Sequence, residues 1–110
     1  MKPIIFLGDA LDGLRRFPND ARREAGYQLD KVQKGADPSD WKPMPSIGRG
    51  VREIRIRDLA GAFRVLYVAH FPDAVFVLHC FEKKTEKTAR RDLELAAKRY
   101  LQLRREADKR

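Results

Sequence analysis

The sequence predicts a small α+β domain, with a mostly antiparallel sheet of about four strands, an N-terminal helical hairpin and a C-terminal helix. Three observations carry that expectation. The chain of 110 residues fits one domain, spanning residues 1–110. Its 43% hydrophobic and 36% charged residues are the composition of a globular chain with a heavily charged surface. Its apolar residues also change period along the chain, from a short continuous run to helical spacing, then to alternation, then back to helical spacing.

Pro3-Ile-Ile-Phe-Leu7 is continuously apolar, as a buried strand is. Asp9 follows as a helix N-cap, with Leu11 and Leu14 on one face and Asp12 in the first turn. Pro18 interrupts, and Asn19 or Asp20 caps a second helix. There Ala21, Ala25, Leu29 and Val32 recur at helical spacing, and Gly35 supplies the stop. The two helices form a hairpin or one bent helix broken at Phe17-Pro18. Residues 36–50 hold three prolines, two glycines and two serines, which read as a loop pinned by Trp41, Met44 and Ile47.

Three strands are expected next. In residues 51–57, Ile54 and Ile56 point one way and Glu53, Arg55 and Arg57 the other. Residues 62–71 are rich in Val, Phe and Tyr, and Pro72-Asp73 reads as a tight hairpin turn. Residues 74–81 are apolar on both faces, as a central strand is. Thr85 or Thr88 then caps a last helix whose stripe is Ala89, Leu93, Ala96, Ala97, Tyr100 and Leu103. The economical assembly is an antiparallel meander with its helices on one face.

Composition also narrows the function. The lone cysteine, Cys80, has no internal disulfide partner. No apolar run approaches the roughly 20 residues that span a bilayer, and Gly8-Asp9 ends the apolar opening too soon for a secretory signal. A soluble, cytoplasmic protein without a membrane partner is expected. The net charge of +8 favours a polyanion or an acidic protein as partner. From Lys83 to Arg110 eleven lysines and arginines face five acids, so the tail is strongly basic.

Four segments in order carry a family resemblance: Gly50-Val-Arg-Glu-Ile-Arg-Ile56, Phe63-Arg-Val-Leu-Tyr67, Val77-Leu-His-Cys-Phe-Glu-Lys-Lys-Thr85 and Glu94-Leu-Ala-Ala-Lys-Arg99. With them the chain resembles the RelE/HigB toxin superfamily, and within it the phage-related HigB-like branch. The resemblance implies a RelE-like fold and the toxin of a type II toxin–antitoxin pair, entering the ribosomal A site and contacting ribosomal RNA. It implies metal-independent cleavage of mRNA, in which the ribose 2′-hydroxyl attacks the adjacent phosphate, and a small helix-turn-helix antitoxin as partner. The chain departs from the best-known RelE-type enzyme in having no aromatic residue between positions 86 and 95, where that enzyme carries a tyrosine.

That reaction needs a base, positive charge at the phosphorane-like transition state and an acid for the leaving oxygen, and no cofactor. The chain offers no metal-ligand constellation: it has two histidines and one cysteine, with His79 and Cys80 on opposite faces of a strand. Arg64 is the first candidate at the transition state, being one charge amid apolar residues and matching the family's strand arginine; the alternative is a structural pair with Glu53. Lys83 and Lys84 leave the strand where the family places cleft-lining basic residues. His79 is a candidate general base or acid, its alternative a hydrogen-bonded core histidine. Arg55, Arg57, Lys87, Arg90 and Arg91 are candidate RNA contacts. Two rival readings stay open: a module that binds RNA or the ribosome without cutting, and a degenerate toxin acting as a co-repressor with its antitoxin.

Overall fold

In the computed structural model, which describes residues Met1–Lys109, a mixed five-stranded sheet is sandwiched between helices. The chain runs β1 (Ile4–Phe6), α1 (Ala10–Arg15), α2 (Asn19–Gln33), β2 (Trp41–Pro43), β3 (Val51–Asp58), β4 (Gly61–Val68), β5 (Val75–Lys83) and α3 (Arg90–Asp108). The sheet order is β1-β5-β4-β3-β2, with β1 parallel to β5 and every other neighbouring pair antiparallel.

Both expectations about the sheet need correction. It has five strands, because Trp41–Pro43, inside the expected loop, pairs with Arg52–Ile54. The helices cover both faces. Phe63, Val65 and Tyr67 of β4 face α1 and α2 with Ile54, Ile56 and Val77, while Leu66 and Val68 face α3 with Phe76 and Leu78. Strands apolar on both sides expose one face to water unless both are roofed, which a one-sided layer of helices leaves undone.

The first helices form as separate elements joined at Arg16–Pro18. α2 buries Ala21, Ala25, Leu29 and Val32 as its spacing requires. It ends where Gly35 takes φ 87°, with Gly35 N–H donating to Val32 O and Ala36 N–H to Lys31 O. That is a Schellman cap, in which glycine relieves the left-handed strain. Gln28, buried on the same helix, is satisfied by the Ser39 N–H at 2.8 Å and so ties down the loop before β2.

Several caps and turns differ from expectation. Asp9 occupies the N-cap position of α1 without a side-chain capping bond; its carboxylate accepts from Arg99 of α3 instead. Pro18 rather than Asn19 or Asp20 stands at the N-cap of α2. Ala89 rather than Thr85 or Thr88 stands at that of α3, and the Thr85 hydroxyl donates to Lys87 O within the preceding turn. β4 and β5 are joined by residues 69–74 rather than a two-residue turn at Pro72-Asp73. Among the described residues no helix is long and apolar enough to cross a membrane.

Candidate functional site

One irregularity in the sheet shapes the site. Leu66 pairs with His79 but Tyr67 pairs with Val77, so Leu78 is an extra residue in β5. A bulge of this kind breaks the two-residue alternation. Leu78 and His79, which strict alternation sends to opposite faces, both turn toward α3: Leu78 joins its apolar cluster and His79 reaches Asp92.

β5 also outruns its neighbour. β1 pairs only with Val75–Val77, so the strand's Cys80–Lys83 stretch has β4 on one side and, among the described residues, no strand on the other. α1 closes against this free edge. A Cβ on Gly13 meets the Cys80 carbonyl inside contact distance, so the helix approaches the strand backbone as only glycine permits. On the other side stands the first turn of α3. Between them opens a cavity of about 430 Å³.

Its walls carry the chemistry. Arg16 comes from the end of α1, His79, Glu82, Lys83 and Lys84 from β5 and its exit, and Arg91 and Asp92 from the first turn of α3. His79 Nε2 lies 2.7 Å from Asp92 Oδ1; a carboxylate accepts, so the imidazole donates through Nε2. The ring is stacked on Phe81 with centroids 5.0 Å apart and planes at 20°. His79 Nδ1 is buried and has no hydrogen-bond partner among the described residues. Cys80 lines the cavity as well, but burial against α1 pushes its thiol up to about 12, which leaves it un-ionised and a poor nucleophile.

Of the residues expected at the site, His79, Lys83, Lys84 and Arg91 line this one cavity. Lys87 and Arg90 are exposed nearby without lining it, and Arg90 pairs with Glu94 at 2.9 Å. Arg55, Arg57 and Arg64 lie on the α3 face of the sheet, outside the cavity lining. There Arg55 pairs with Arg64, and Arg64 in turn with Phe81 across β5. Arg64 is 3% exposed and Glu53 1%. Arg64 Nε is 3.5 Å and Arg55 Nε 3.4 Å from the same Glu53 oxygen, and Arg64 donates to Phe63 O at 3.0 Å. Burial lowers the Arg64 guanidinium from the ordinary arginine range, and Glu53 opposes that. The expected transition-state arginine is thus held in a buried ion pair, the structural alternative weighed for it from sequence.

Three charged cavity residues were not among the sequence candidates: Arg16, Glu82 and Asp92. Arg16 offered no signal beyond its charge. Asp92 is an acid in a helix's first turn, a placement the helix dipole favours wherever it occurs. Its meeting with His79 depends on how α3 lies over β5. Among the described residues no three of His, Cys, Asp and Glu are grouped to hold a metal ion.

Residues 12–101 match the protein family described as phage derived protein Gp49-like (DUF891), a span that includes β5, its basic exit and the first turn of α3. No curated protein matches the sequence. With most of its length inside the match, the chain belongs to the Gp49-like family of phage-derived proteins.

Proposed function

We propose that this protein is the toxin of a type II toxin–antitoxin pair, a metal-independent endoribonuclease that enters the ribosomal A site and cleaves mRNA there. The observation that carries the reading is the cavity itself: a hydrogen-bonded His79–Asp92 pair ringed by Arg16, Lys83, Lys84 and Arg91. Cations so placed suit a scissile phosphate and the charge that develops on it, and the pair supplies groups that take up and hold a proton. Gp49-like membership supports the same direction, since that family is RelE/HigB-like, and the ordered HigB-like segments support the finer branch.

In this reading Lys87, Arg90 and the exposed Arg57 extend the positive surface on which RNA lies. A helix-turn-helix antitoxin is the partner that neutralises the toxin, and the cytoplasm, where ribosomes are met, is its place of action. Burial of Arg64 favours one second reading, a module that occupies the ribosome without cutting. Mapping transcript ends by primer extension after induction separates the two. Discrete new 5′ ends within translated messages are expected; arrested translation over intact transcripts overturns the nuclease.

A further inference from the structure

His79 is the residue that its chemistry recommends as the base of such a site, yet neither ring nitrogen is free for the task. Nε2 is committed to Asp92, and Nδ1 is buried and makes no hydrogen bond among the described residues. The ring plane is held by the stack on Phe81. Asp92 is placed differently. It lines the cavity, its side chain keeps 15% of its surface exposed, and the hydrogen bond from His79 engages one of its two carboxylate oxygens. The Asp92 backbone is fixed as well, its N–H donating to Ala89 O at 3.0 Å in the first turn of α3.

Resting on the nuclease reading, we infer that Asp92 is the catalytic residue that takes the proton and that His79 is a positioning residue acting through it. The Asp92 carboxylate accepts the proton of the ribose 2′-hydroxyl as the 2′-oxygen forms its bond to phosphorus. The bond from phosphorus to the 5′-oxygen breaks, its electron pair leaves with that oxygen, and an ammonium proton from Lys83 or Lys84 neutralises it. The products are a 2′,3′-cyclic phosphate and a 5′-hydroxyl, and no further reactant is consumed. The imidazole's part is to donate one hydrogen bond through Nε2, which fixes the carboxylate's rotamer and aims its second oxygen. A side chain that donates from the same point does the same work.

Glutamine is such a side chain, which gives the test. Cleavage of ribosome-bound mRNA is measured across pH for the wild type, Asp92→Asn and His79→Gln, with thermal melting of each as a check on folding. Asp92→Asn is expected to lose at least about 100-fold in rate, the scale of a lost general base. His79→Gln is expected to stay within about tenfold of the wild type, since a donor to the carboxylate is kept, and to retain the acid limb of the pH–rate profile. A folded His79→Gln protein as inactive as Asp92→Asn, or one whose acid limb disappears, overturns the assignment. Nitrogen NMR of His79 in the wild type decides the matter even if His79→Gln does not fold: a proton on Nε2 is expected, and a proton on Nδ1 with Nε2 bare overturns the inference. A wild-type protein that cuts no transcript at all refutes the nuclease reading instead, while the NMR result still judges the pair.

Discussion

Two pairs of polar groups sit on the same face of this sheet, and among the described residues each leaves at least one buried atom without a hydrogen bond. At β3 and β4, Glu53 and Arg64 are almost completely buried, and among the described residues Glu53 Oε2 and Arg64 Nε make no hydrogen bond, though Arg64 Nε lies 3.5 Å from Glu53 Oε1. At the free edge of β5, His79 and Asp92 are covered on one side and line an open cavity on the other. The difference follows from what surrounds them. The Glu53–Arg64 pair has strands on both sides, whereas β5 loses its outer neighbour after Val77 and α1 and α3 stand apart at that edge. Similar chemistry thus sits in opposite settings: one pair is enclosed within the sheet, and the other lines a cavity.

The comparison is broken most forcefully at the buried pair. Glu53→Leu leaves Arg64 as an uncompensated buried charge, and a stability loss of about 3–5 kcal/mol is expected in denaturant melts. Arg64→Ala, which a transition-state role for Arg64 expects to abolish toxicity in a well-folded protein, is expected to destabilise through the same pair. The double variant Glu53→Leu/Arg64→Met removes both charges and should recover most of the loss. If that stable double variant stays toxic, Arg64 is structural; if it is inert, Arg64 reaches RNA after all.

At the cavity, Gly13→Ala pushes a methyl group into the Cys80 carbonyl and forces α1 off the strand edge. A loss of about 1–3 kcal/mol is expected, the usual scale for overpacking, and in the nuclease reading cleavage should fall with it because Arg16 directly follows α1. An unchanged melting midpoint counts against the tight wall. Lys84→Ala and Arg91→Ala should barely move stability. Each is expected to reduce the slope of log affinity for single-stranded RNA against log salt by about 0.7; a parallel line contradicts their contact with phosphate. The smallest effect belongs to the clamp between Asp9 and Arg99. The Arg99 hydrogen bond and charge hold the Asp9 carboxyl below its ordinary value of 3.8. A carboxyl lowered on folding stabilises above that ordinary value, and the contribution is lost as pH falls through the folded value. Asp9→Asn should therefore lower the melting temperature slightly at neutral pH and not at all in strong acid; a gap that persists in acid contradicts the clamp.

Much of this protein is written in local pattern. The alternation of Glu53, Ile54, Arg55, Ile56 and Arg57 specifies β3 and its buried side, because a strand's period leaves one arrangement that hides the isoleucines. The spacing of Ala21, Ala25, Leu29 and Val32 specifies α2, and Gly35 its end. The basic exit Lys83-Lys84 and the histidine before it were legible as residue types suited to a phosphodiester, and four of the expected site residues share one cavity. Tertiary structure decided the rest. β1 joins β5 in parallel although Ile4 and its partner Val75 lie far apart in the chain, a pairing that no local pattern encodes. β2 pairs over three residues, too short for a periodic signal inside a proline-rich stretch. The bulge at Leu78 reverses the facing that alternation predicts just before His79, and the lie of α3 over β5 brings Asp92 to its ring. A sequence specifies which side of an element seeks the core, because burial of apolar surface is local in period. Which polar groups then meet depends on register and on how elements pack, and both emerge only when the whole core closes.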